Sequence, residues 1–251
     1  MMSLGFNKYH GIGNDFIIFD ALNSKYNFDR FYYEPDLVKD LCNRHYGIGA
    51  DGVILLLANE SSGIAKMEIF NSDGSIAEMC GNGIRCLVRY ILDKTKLINA
   101  NDNFSIETKA GIISSSVTKE GYIKVDMGVP IFTPNLIPTT ILQTECGIPT
   151  QKIEIYNQSF QIYAVGMGNP HMVTFVDSLN DFPFELLGKE LECNEYFPNK
   201  TNVHFVEILS RNKMLVKVWE RSAGATLACG TGACASLAIG LTLNLCDSKC
   251  D

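Results

Sequence analysis

Two phrases recur in this chain at nearly one interval. Gly11-Ile12-Gly13-Asn14 returns as Gly166-Met167-Gly168-Asn169, and Cys80-Gly81-Asn82-Gly83 returns as Cys229-Gly230-Thr231-Gly232. The interval is 155 residues from Asn14 to Asn169 and 149 from Cys80 to Cys229. Each Cys-Gly-x-Gly phrase runs into an apolar stretch with helical spacing. A chain duplicated in this way is expected to fold as two copies of one unit, each with a cysteine at the mouth of a helix.

Between the phrases lie short β-branched and aromatic runs. Residues 15–20, 53–57, 66–70, 104–108, 122–126, 160–165, 172–176, 203–209 and 214–219 read as strands. Residues 122–126 (YIKVD) alternate apolar and polar, the mark of a strand with one wet face. Helices are fewer. Pro35 stands where a first helical turn begins, with a stop at Gly47. After Cys80, residues Ile84, Leu87, Val88, Ile91 and Leu92 share one helical face. After Cys229, residues 233–245 are apolar nearly all round, so that helix is expected to be enclosed by sheet. The predicted architecture is α+β in two pseudo-symmetric domains, 1–127 and 128–251. Each is a mixed or antiparallel sheet wrapped around one central buried helix, and the proline-containing stretch 128–138 is the connection.

Bulk properties narrow the function. At 251 residues the chain can hold two small domains or one large one. Its net charge of −7 argues against a nucleic-acid backbone or an anionic membrane surface as partner. No apolar run reaches spanning length, and a cytoplasmic location is the expectation. Nine cysteines without a Cys-x-x-Cys, and four histidines without helical pairing, give no metal-site spacing. Most of the cysteines are expected to be buried small hydrophobes.

The two at the helix mouths are different. A helix start offers unpaired N–H groups and partial positive charge, and flanking glycines let a ligand approach the backbone. Such a turn can cradle a carboxylate and lend a cysteine thiolate character. If the pseudo-two-fold brings both turns together, two thiols flank one carboxylate. Inverting the adjacent carbon requires a base on one face and an acid on the other, and the reverse reaction exchanges the roles. Chemically matched thiols suit this, and converging helix starts stabilise the carbanion electrostatically. The inference is a racemase or epimerase without a cofactor.

Longer phrases carry a resemblance. Residues 71–74 (NSDG), 78–86 (EMCGNGIRC), 219–221 (WER) and 228–234 (ACGTGAC), with His10 to Phe16, Gly49-Ala50-Asp51-Gly52, Gly168-Asn169-Pro170-His171 and Thr201-Asn202-Val203, are similar in order and spacing to the diaminopimelate epimerase family. The resemblance runs from residue 5 to about residue 240. It implies interconversion of LL- and meso-2,6-diaminopimelate without pyridoxal phosphate or metal, in lysine and peptidoglycan precursor synthesis, by a cytoplasmic homodimer. It also implies roles. Cys80 and Cys229 are the acid/base pair, with His171 and Glu220 assisting. The Gly81-Asn82 and Gly230-Thr231 amides hold the reacting carboxylate. Asn14, Gly52, Asn71, Asn169, Asn202, Glu220 and Arg221 line the site. The chemistry of that set suits a substrate with two amino-acid ends, since Arg221 can grip a carboxylate and Glu220 an ammonium.

The chain departs from the family pattern in three ways. Gly52 stands where some members carry glutamine. Ser222 and Ala225 stand where the family usually has Gly and Glu or Pro. Members normally continue further past the second central helix with closing strands, so exposed ladder groups and apolar surface are expected there. Three alternatives stay open at this level. One is an isomerase of another amino or hydroxy acid that uses no pyridoxal phosphate. Another is a non-catalytic anion-binding or dithiol redox protein. The third is a shortened, inactive homologue.

Overall fold

Strand pairs that must run parallel need a crossover between them, and this requirement organises the molecule. The computed structural model describes residues 4–61, 63–99 and 102–251. The chain divides into two compact units, Met1–Asp126 and Met127–Asp251.

The first unit runs β1 (Asn7–Gly11), β2 (Asn14–Asp20), α1 (Arg30–Tyr33), α2 (Pro35–Cys42), β3 (Gly52–Leu57), β4 (Ala65–Asn71), β5 (Ile76–Ala77), α3 (Gly81–Lys94), β6 (Asn103–Thr108), β7 (Gly111–Val117) and β8 (Ile123–Val125). Its sheet has the order β1-β2-β3-β4-β6-β7-β8, with β5 paired to β4. The β2/β3 and β4/β6 pairs are parallel and the others antiparallel. The second unit runs through a 3₁₀ turn (Pro134–Leu136), β9 (Thr150–Ile155), β10 (Gln158–Gly166), β11 (Pro170–Phe175), α4 (Phe184–Glu192), β12 (Asn202–Ser210), β13 (Lys213–Glu220), β14 (Gly224–Thr226) and α5 (Gly230–Thr242). Its sheet has the order β14-β13-β12-β11-β10-β9, with β11/β12 parallel.

The duplication is explicit in the pairing. The segment β1-β2-β3-β4-β5-α3 corresponds to β10-β11-β12-β13-β14-α5, and each parallel pair is joined by a helical crossover. The parallel register is kept, Phe16 facing Gly52 in one unit and His171 facing Asn202 in the other, while the preceding hairpin shifts by one residue, Gly11 facing Asn14 but Gly166 facing Pro170. The architecture is α+β with mixed sheets.

Central strands are apolar on both faces because both faces are covered. In the first unit Phe16, Ile18, Ile54 and Leu56 pack with α3, while Ile17, Phe19, Val53 and Leu55 pack with Phe31 of α1 and Val38 of α2. The second unit repeats this, with Met172, Val203 and Phe205 against Leu187 and Leu191 of α4, and Val173 and Val206 against Ala235 and Ile239 of α5. Two wholly buried histidines, His171 and His204, lie on strands of this unit.

Three expectations need correction. Helices α1 and α4 and strands β1, β5, β7, β9 and β14 are additional to the elements read from sequence. Helix α5 is not enclosed. Leu241 is 46% exposed, and Ala233 is exposed as well. The reason is one of layers. In the first unit Phe104, Ile106 and Val117 of β6 and β7 join the α3 core, whereas among the described residues of the second unit no strand takes that place. Finally, burial is not the rule for the cysteines. Cys42, Cys86, Cys229 and Cys246 are buried, and Cys146 and Cys193 are exposed.

Ser222 adopts φ 66°, the left-handed region that favours glycine. Side-chain strain there costs about 1–2 kcal/mol, and glycine's extra unfolded-state freedom returns roughly 0.5–1 kcal/mol. Ser222→Gly is therefore expected to stabilise the second unit by about 0.5–1 kcal/mol in urea unfolding, and a loss of stability would refute the strain. Burial pushes the His204 imidazole down to about 3, and burial, then His204, then Arg221, push His171 well below the ordinary histidine range. The unfolded chain takes up these protons below pH 6.5 while the folded unit does not. Stability of the second unit is thus full above pH 6.5 and falls as pH drops below it, by up to about 1.4 kcal/mol per pH unit for each histidine. Trp219 is the single tryptophan and lies in this unit, so its fluorescence should report a lower urea midpoint at pH 5 than at pH 7. An unchanged midpoint would contradict it.

Candidate active site

Both repeated Cys-Gly-x-Gly phrases become helix N-caps. Cys80 has φ −144° and ψ 117°, and its Sγ accepts from Gly83 N–H at 3.4 Å. Cys229 has φ −127° and ψ 114°, and its Sγ accepts from Gly232 N–H at 3.4 Å. A sulfur thus occupies the place where a serine or aspartate oxygen usually caps. The bond favours the charged form of the sulfur, as does the partial positive charge of the helix start. Other thiols lie in different surroundings. Burial raises Cys42 to about 11 and, helped by Cys80, Cys86 to about 12, so these are inert at neutral pH.

In the first unit the site residues gather at one end of the sheet. Asn14 opens β2, Gly52 opens β3 and Asn71 closes β4, with Gly52 lying between Phe16 and Asn71 in register. Asn14 Nδ2 donates to Asp51 Oδ2 at 3.1 Å, which turns Asn14 Oδ1 toward the Cys80 thiol, 3.9 Å away. Asp51 is itself held. Arg44 Nη2 bridges Asp15 Oδ1 and Asp51 Oδ1, each at 2.7 Å, and Lys8 pairs with Asp15 at 2.9 Å. Partial burial works to raise the Asp15 carboxyl, but the charged bonds from Arg44 and then Lys8 outweigh it and hold it well below the carboxylate range. Asn71 Nδ2 donates to Ser75 Oγ at 2.9 Å, and Asn82 Oδ1 accepts from Arg85 Nη1 at 3.4 Å. A Cβ at position 52 would lie 2.6 Å from Phe70 O, so a larger residue there would have to shift the strands.

The second unit builds the equivalent end of its sheet differently. His171 Nε2 lies 2.7 Å from Asn169 Oδ1, and His171 Nδ1 lies 2.7 Å from His204 Nε2. Both ring nitrogens of His171 are thereby engaged within the unit. Asn202 is spent on backbone, donating Nδ2 to Pro170 O at 2.9 Å and accepting Arg221 N–H at 3.0 Å. It fixes the turn that presents Glu220 and Arg221. Glu220 Oε1 accepts from Thr226 Oγ1 at 2.6 Å, and Thr231 Oγ1 lies 3.3 Å from Cys229 Sγ. Glu192 of α4 braces the same turn, accepting from Trp219 Nε1 at 2.8 Å and Ser222 N–H at 3.1 Å.

Each set is coherent in its own unit. Cys80, Asn14, Gly52, Asn71, Gly81 and Asn82 gather in the first; Cys229, Asn169, His171, Asn202, Glu220, Arg221, Gly230 and Thr231 in the second. The residues missed from sequence are the supports: Arg44, Asp15 and Asp51, and His204, Glu192 and Thr226. A weak signal existed for His204, a histidine inside a run of strand residues that should be apolar. Among the described residues no cluster of histidine, cysteine and carboxylate side chains has the form of a metal centre, and no helix is long and apolar enough to cross a membrane.

Similarity to known proteins identifies the family. The family model for diaminopimelate epimerase matches residues 6–133 and 163–251. The diaminopimelate epimerase of Prochlorococcus marinus is 48% identical over 249 residues, covering 97% of this chain and 87% of that protein. That of Carboxydothermus hydrogenoformans is 48% identical over 238 residues, covering 95% and 84%. Among solved structures, a hydroxyproline epimerase from Agrobacterium vitis superposes with a TM-score of 0.66 at 15% identity, covering 96% of this chain and 78% of that one. A PhzF-family protein from Bacillus anthracis gives 0.58 at 17%, covering 95% and 78%. These remote likenesses concern the fold. With one motif set intact in each unit and close relatives along nearly its whole length, the chain belongs to the diaminopimelate epimerase family.

Proposed function

We propose that this protein interconverts LL- and meso-2,6-diaminopimelate by a two-thiol mechanism, with Cys80 and Cys229 as the acid/base pair and no cofactor. The observation that carries the reading is the matched capping of two helices by cysteine, each sulfur receiving the N–H three residues on at 3.4 Å.

One thiolate removes the α-proton and the opposite thiol returns a proton to the other face, so each turnover leaves the pair with exchanged protonation. The backbone amides of Gly81-Asn82 and Gly230-Thr231 hold the reacting carboxylate, where helix-start charge stabilises the developing carbanion. Arg221 grips the distal carboxylate and Glu220 the distal ammonium, with Asn14, Asn71 and Asn169 completing the polar lining. Asn202 and His171 act by positioning, since their polar atoms are engaged inside the unit. The reaction serves lysine and peptidoglycan precursor synthesis. The family resemblance supports a homodimer, which size-exclusion chromatography would register, and this biosynthetic role supports a cytoplasmic location.

Incubation with LL-diaminopimelate in deuterated water should give loss of the α-proton signal and appearance of the meso isomer by NMR. No exchange in folded, reduced protein would refute the reading. Cys80→Ala and Cys229→Ala should each lower epimerisation by roughly 10²–10⁴-fold, the usual worth of a positioned acid or base. Full turnover in either variant would show that the two thiols are not the pair.

A further inference from the structure

The duplicated frame supplies an internal control for one feature with no assigned role. Register makes His171 the counterpart of Phe16 and His204 the counterpart of Ile54. In the first unit the place beside the helix start is apolar: a Cβ on Gly83 would lie 3.3 Å from Ile54 Cδ1. In the second unit the His204 ring takes that place so closely that a Cβ on Gly232 would stand 2.7 Å from His204 Nδ1 and 2.9 Å from His204 Nε2. Packing alone is satisfied by isoleucine. The histidine brings a cost instead, because His204 Nδ1 is buried with no hydrogen-bond partner. A polar group kept at such a cost points to the bond it does make, at 2.7 Å to His171 Nδ1.

The direction of that bond follows from the surroundings. His204 Nδ1 faces the first turn of α5, where the partial positive charge of the helix start favours a lone pair over an N–H. The proton of neutral His204 therefore sits on Nε2 and is donated to His171 Nδ1. His171 then carries its own proton on Nε2 and donates it to Asn169 Oδ1. The amide of Asn169 is thereby set, with its carbonyl turned to the histidine and its N–H₂ end left for a ligand.

We infer that His204 is a positioning residue of the epimerase site, fixing the tautomer of His171 and through it the orientation of the Asn169 amide, while its ring buttresses the Gly232 turn that caps Cys229. This rests on the proposed role of Asn169 and Cys229 in diaminopimelate epimerisation. His204 acts through two side chains in series, His171 and Asn169.

Nitrogen-15 NMR of histidine-labelled protein tests the tautomers without substrate. Wild type should show both buried rings protonated on Nε2 and bare on Nδ1. His204→Ile installs the first unit's own residue, so the variant should fold with native Trp219 fluorescence, while His171 becomes a mixture of tautomers and kcat/KM falls roughly fivefold, the scale of one lost hydrogen bond. His204→Gln, whose amide can donate to His171 Nδ1, should restore the single tautomer and most of the rate. An unchanged His171 tautomer in His204→Ile, or no advantage of Gln over Ile in tautomer and rate, would overturn the inference. If wild type fails to exchange the α-proton of diaminopimelate, the proposed reaction falls, while the tautomer comparison still decides what His204 does.

Discussion

A sulfur capping a helix is the interaction on which this structure depends. To accept the N–H three residues on, each cysteine must leave an extended segment with φ near −130° to −145° and enter the helix at the next residue. The third helical residue of each then lies close over the strand layer, where a side chain has little or no room. A Cβ on Gly83 would stand 3.1 Å from Ile69 Cδ1, and one on Gly232 would strike the His204 ring. Close packing of helix on sheet thus demands glycine at 232 and leaves little room at 83, and the open backbone the glycines leave is also what a small anion needs.

Around this shared device the two units diverge. In the first, charge does the positioning: Arg44 ties Asp15 to Asp51, and Asp51 orients Asn14 toward the thiol. In the second, neutral histidines in a fully enclosed strand layer orient Asn169, and a buried carboxylate, Glu192, braces the turn before β14. Duplication preserved the parallel-pair register and the caps, while the groups that orient the asparagine changed from ionic and partly solvated to neutral and buried. Charged supports are tolerable where water still reaches Arg44 and Asp51. Inside the second sheet an unpaired charge is costly, and neutral rings are the stable solution.

Much of this was legible in the sequence, and the failures have physical causes. Strands β2, β3, β4 and β12 announce themselves because their central residues are buried on both faces and mostly apolar, and β13 because its residues are mostly large and apolar. Helix α4 was hidden by Gly188 at its middle, a residue that weakens a helix but is required where Trp219 packs, since a Cβ there would lie 2.6 Å from the Trp219 Cβ. Strand β7 was hidden by three serines in a row, although it is paired on both sides. Edge strands β1, β9 and β14 are short or polar, and such strands gain their identity from a partner rather than from their own composition. The expected enclosure of α5 was wrong because an apolar pattern states what a helix can bury, not what is present to cover it.

The amino-acid sequence by itself determined that there are two copies of one unit and that each ends in a cysteine opening a helix, and its family resemblance names a candidate lining of amides with one acid and one guanidinium. These are local facts, carried by glycine's conformational freedom, by hydrophobic period and by residue chemistry. Only the tertiary structure decided which partners those polar groups bond within their own unit. His171 sits in the same motif as Asn169, yet its ring nitrogens are engaged by Asn169 and His204, and the Asn202 amide bonds Pro170 O and Arg221 N–H. A hydrogen bond is a relation between atoms brought together from distant parts of the chain. The residue type sets its capacity, and the fold alone sets its partner.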